Sequence, residues 1–95
     1  MVDLDDDKVI EAIKNAVGSK SLGNYTDVKA VYDELRSLLG KNIPLWRLQT
    51  NLWKMYQADK IRLAKASTVN ARARKYGIHR GFLYFYVGLK EAEGK

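Results

Sequence analysis

Two apolar stripes follow one another between residues 28 and 56 with only residues 40–43 separating them, and that short joint constrains the fold more than any other feature. Val28, Val31, Tyr32, Leu35, Leu38 and Leu39 recur at intervals of three, one, three, three and one. That spacing lines up side chains on one face of a helix. Leu45, Leu48, Leu52, Met55 and Tyr56 form a second such stripe. Gly40 closes the first segment and Pro44 opens the second, proline being suited to the first helical position. Two amphipathic helices joined by so short a glycine-containing turn must pack against each other. The spacing predicts helices over residues 27–39 and 44–58, with Thr26 as N-cap of the first and Asp27 in its first turn.

An earlier helix is expected over residues 5–17. Val9, Ile10, Ile13, Ala16 and Val17 share one stripe, Asp5, Asp6 and Asp7 favour the positive end of the helix dipole, and Gly18 supplies a stop. Beyond Lys60 the period changes. Residues 61–66 alternate apolar and polar as a half-buried strand does, and residues 82–87, Phe-Leu-Tyr-Phe-Tyr-Val, read as a second strand. Residues 67–81 between them are polar and read as a long loop, within which residues 70–76 offer an alternative short helix capped by Thr68 or Asn70 and ended by Gly77. A short strand near residues 22–25 has little support. The whole chain of 95 residues is one domain of the α+β class: three helices, then a two-stranded hairpin.

Charge is distributed unevenly along that order. Residues 1–40 carry five bases and eight acids, whereas residues 41–81 carry ten bases against the single acid Asp59, a net of +9. A contiguous basic stretch of this kind is what a polyanion-binding face leaves in a sequence. The absence of cysteine excludes thiol catalysis, disulfides and zinc knuckles. His79 is the one histidine, the Asp5–Asp7 run reads as a solvated helix start, and no glycine-rich phosphate loop or serine nucleophile motif occurs. We therefore expect no enzyme activity, no metal, no cofactor and no small-molecule ligand. No apolar run approaches the roughly 20 residues that cross a bilayer, and the acidic start does not resemble a secretory signal. A cytoplasmic, nucleoid-associated protein is the expectation.

The order helix, helix, turn, helix, strand, basic loop, strand resembles the winged helix-turn-helix family, over roughly residues 5–88. The likeness is to its small stand-alone prokaryotic, archaeal and viral regulators, and rests on topology and pattern. It implies a third helix lying in the major groove and a hairpin loop, the wing, on the backbone or minor groove. The wing here, residues 67–81, is longer than the family usually has.

On the third helix, Arg47, Thr50, Asn51 and Lys54 lie opposite the apolar stripe. Arginine can pair with both acceptors of guanine, asparagine with an adenine edge, and threonine with a base or a thymine methyl. Lys54 and Gln57 suit phosphate or base contacts. A solvated helix face is the bland alternative. Trp46 and Trp53, seven residues apart, read as packing residues, with a place beside the sugar–phosphate backbone as the alternative for Trp46. In the wing, Arg72, Arg74, Lys75 and Arg80 stand without an acid between residues 67 and 81, a set suited to phosphates. The expected function is duplex DNA binding in transcription regulation. An RNA-binding or ribosome-associated protein and a protein–protein adaptor are the alternatives. A homodimer is expected because a single small module covers few base pairs, through the first helix or the aromatic last strand.

Overall fold

A computed structural model describes residues 5–18 and 25–89. The elements are α1 (Asp6–Gly18), β1 (Tyr25–Asp27), α2 (Val28–Leu39), α3 (Leu45–Gln57), β2 (Ile61–Lys65), α4 (Ala71–Tyr76), β3 (Ile78–Arg80) and β4 (Phe82–Leu89). The α+β class is as expected, with four helices and a small antiparallel sheet among the described residues. The three long helices begin and end within a residue or so of their expected bounds.

Local caps explain the small differences. Asp27, not Thr26, caps α2: its side chain accepts a hydrogen bond from the Ala30 N–H at 2.8 Å. A carboxylate there satisfies one of the helix's orphan donors, which a side chain one residue earlier cannot reach. Thr26 belongs to β1, where its hydroxyl is buried without a hydrogen-bond partner. Pro44 is the N-cap of α3, one position before the helix proper. Of the segment near residues 22–25, only Tyr25 is described and lies in β1; residues 22–24 fall outside the described residues.

The largest departure is in residues 67–81. The expected loop holds α4 and β3, and its alternative reading as a helix at residues 70–76 is the correct one. Asn70 caps α4 by accepting from the Ala73 N–H at 2.8 Å, and the Gly77 N–H closes the helix on the Ala73 carbonyl. Ala73 and Ile78 are buried, so the segment is anchored in the core despite its polar composition. Gly77 is where α4 turns into β3. A Cβ there would stand 2.5 Å from both the Ala73 carbonyl oxygen and Leu83 Cδ1, so only glycine fits the approach. Gly81, at φ 79°, makes the tight return into β4.

β4 is the central strand. Tyr86 pairs with Asp27 of β1 on one edge and with Ala64 of β2 on the other. Tyr84 likewise pairs with Lys65 of β2 and with Ile78 of β3, so β3 continues the edge that β1 begins. The inward residues of the sheet, Ile61, Leu63, Phe85 and Val87, meet the apolar stripes of the three long helices. Val9, Ile13, Val28, Val31, Leu35, Leu48, Leu52 and Met55 are fully buried there. Burying such side chains contributes about 1.5–3 kcal/mol each, which fixes α3 by its inner face and leaves its outer face to other uses.

Candidate nucleic-acid interface

At about 100° per residue, the inner positions Leu48, Leu52 and Met55 put Trp46, Thr50 and Gln57 at the opposite pole of α3. Trp46, Lys54 and Gln57 are exposed. Contrary to its expected packing role, Trp46 leaves 60% of its surface in solvent. It lies on the pole farthest from the core, at the rim of a groove shared with β3. The Arg47 guanidinium lies 5.4 Å from its ring centroid. No carboxylate occurs in α3 or the joint before it, so the polar groups of this face are donors, hydroxyls and amides.

The two flanks of α3 are held differently. On one, the Asn51 amide donates to Asp6 Oδ1 at 3.1 Å and approaches Met55 Sδ at 3.3 Å. Lys60 donates to the other oxygen of the same carboxylate at 3.0 Å. These bonds, Lys60 first and then Asn51, hold the Asp6 carboxyl below its ordinary pKa. Asn51, expected to face an adenine, thus has its donor engaged by the start of α1. The sequence could not reveal this, because Asp6 and Asn51 are 45 residues apart.

On the other flank, Gln49 acts as a clamp. Its side-chain amide donates at 3.0 Å to the carbonyls of both Tyr76 and Gly77, tying α3 to the junction of α4 and β3. Trp53 packs at 5.5–5.7 Å from the rings of Tyr56 and Tyr84, as expected of a packing residue. The Arg80 guanidinium lies 5.6 Å from the Trp53 ring. Trp46, Gln49 and Thr50 face Gly77, Ile78, His79 and Arg80 across a groove of about 250 Å³. His79 ties β3 back to α4, its Nε2 donating to the Arg74 carbonyl at 3.1 Å.

Four expected wing cations thus have four different settings. Arg72 reaches back to Asp27 at 3.7 Å, so its charge is partly neutralised at the start of α2. Arg74 is exposed. Lys75 is also exposed, with its ammonium 5.4 Å from the Tyr76 ring. Arg80 alone faces α3. The clamp made by Gln49, the bond from His79 to α4 and the exposure of Trp46 escaped the sequence reading. Gln49 sits at the border between the apolar stripe and the outer face, but nothing in the sequence tells which segment it meets.

Compared with family models, curated proteins and solved structures, the chain has no significant match. Among the described residues no cluster of metal-ligating side chains occurs, and no helix is long and apolar enough to cross a membrane.

Proposed function

We propose that the chain is a winged helix-turn-helix protein that binds double-stranded DNA as a transcriptional regulator, with α3 in the major groove. The observation that carries this reading is an outer helix face without a carboxylate, bordered by a basic segment clamped to it through Gln49. An exposed helix of this width fits the major groove, and a rigid neighbour bearing cations suits the flanking backbone. The strand between α1 and α2, the short joint before α3 and the β2–β4 pair following it agree with that family's order. Arg47, Thr50, Lys54 and Gln57 are the base- and phosphate-facing set, with Arg74, Lys75 and Arg80 beside them. Asn51 reaches DNA only by exchanging Asp6 for a base. The protein acts on the nucleoid, in the cytoplasm, as a homodimer on a palindromic site, which doubles a small footprint.

Selection of bound duplexes from a random pool, followed by titration of the winning site, tests the reading. Arg47→Ala is expected to weaken binding to that site by about 1–3 kcal/mol while sparing random duplex. Enrichment of no sequence, with Arg47→Ala binding like the parent, would overturn it.

A further inference from the structure

Trp46 and Phe82 are two of the three large apolar side chains left exposed among the described residues, at 60% and 55%. They lie on the two sides of one strip. From Trp46 the surface crosses the groove to Arg80, whose guanidinium stands over Trp53. Trp53 touches Tyr84 at 5.7 Å, and Tyr84 touches Phe82 edge-on at 6.3 Å. Cations accompany the rings throughout: Arg47 beside Trp46, Arg80 over Trp53, and the Lys65 ammonium 3.9 Å from the centre of Phe82. The acid nearest in sequence to these residues within 41–81, Asp59, lies beyond the C-terminal end of α3.

We infer that this strip of rings and cations, from Trp46 to Phe82, binds the unpaired bases of a single-stranded nucleic acid. A duplex keeps its base faces stacked inside and presents edges and phosphates, for which a flat exposed ring has little use. An unpaired strand offers base faces that stack on aromatic rings, and phosphates between them that meet the interleaved cations. Lys65, held against one ring, is placed to meet a phosphate next to a base stacked there. The rings belong to clamped elements, α3 and the β3–β4 hairpin, so little ordering is lost on binding. The inference goes beyond the duplex reading and does not depend on it: the two share cations but use different faces of the ligand.

The test is a fluorescence-anisotropy titration of the full chain with a labelled mixed-sequence single strand, as DNA and as RNA, beside the matching DNA duplex. The single strand is expected to bind and to quench tryptophan emission. Trp46→Ala and Phe82→Ala should each weaken it about 5- to 150-fold, the range for one stacked base, and Phe82→Tyr should restore it. Both rings are more than half exposed, so thermal melts of the variants should match the parent. Loss in the DNA arm, the RNA arm or both supports the strip and names the sugar it accepts. Failure of both the DNA and the RNA strand to bind, or binding that both alanine variants leave unchanged, overturns it. The duplex arm judges the earlier reading separately: duplex bound without single strand sinks this inference alone, and the reverse sinks that one alone.

Discussion

The two flanks of α3 carry similar polar residues and put them to opposite uses. On the α1 side, Asn51 and Lys60 converge on the Asp6 carboxylate, and charge cancels within the molecule. On the β3 side, Gln49 is spent on two backbone carbonyls, and Arg80 rests on the face of Trp53. A guanidinium over a ring keeps its full charge, because the attraction is to the ring's quadrupole and not to an opposite charge. The number of cations in a segment is therefore a poor guide to the field it presents. What matters is whether each one meets a carboxylate, as Lys60 does, or an aromatic ring, as Arg80 does.

Leu52 lies between both flanks and is fully buried. Leu52→Ala is expected to cost about 2–5 kcal/mol and to loosen both sides together, read as a lower denaturant midpoint. An unchanged midpoint would mean that the flanks do not share a core. Gly77→Ala strikes the β3 flank alone. With backbone and Leu83 atoms 2.5 Å from the new Cβ, a loss of about 1–3 kcal/mol is expected, with raised amide exchange in α4 and β3 and little change in α1. Uniform exchange across both flanks would erase the distinction.

On duplex DNA, Arg80→Ala should lower the slope of log affinity against log salt by about 0.9, and Arg74→Ala by as much. Arg72→Ala should change it less, because Asp27 already answers part of that charge. Equal effects at all three would show that the Asp27 pair opens on binding.

The smallest effect is expected at Asp6. Its lowered carboxyl pKa means that the ionised form is favoured by folding. The stability this adds is present above the ordinary aspartate value, about 3.9, and is lost as pH falls through the lower folded value. Asp6→Asn should cost under about 1 kcal/mol at neutral pH, as for other exposed pairs, and match the parent in strong acid. Released from the carboxylate, Lys60 and Asn51 should raise duplex affinity and steepen its salt dependence. An unchanged dependence would place the α1 flank away from DNA.

Much of the fold was legible in the sequence, because helix spacing is local: α1, α2 and α3 follow from intervals of three and four, and apart from Ala12 their buried residues all lie in the stripes that the intervals single out. The segment at residues 67–81 was harder for a physical reason. α4 is six residues long, too short to show a periodic stripe, and the buried apolar side chains of it and β3 are Ala73 and Ile78. Only the capping residue Asn70 and the terminating Gly77 left a trace. At the interface, the cations could be counted but not their partners. Asp6 with Asn51 and Gln49 with Tyr76 are pairings 45 and 27 residues apart, set by how helices dock. Trp46 shows the same limit, since a tryptophan beside an apolar stripe looks like core until its turn of helix is found at the outer pole.

The placement of β4 also governs how copies of this chain meet at high concentration. Its eight residues, the longest and most aromatic strand, are shielded along both edges. Among the described residues the outer strands are two three-residue fragments, β1 and β3, and on the far side β2, which exposes Arg62 and Lys65. Short, interrupted or charged margins make poor templates for a strand from another molecule. The sequence most prone to amyloid-like stacking is thus enclosed by the segments least able to propagate it. Self-association is steered toward side-chain contacts, which can be reversed, and away from polymerisation of the sheet.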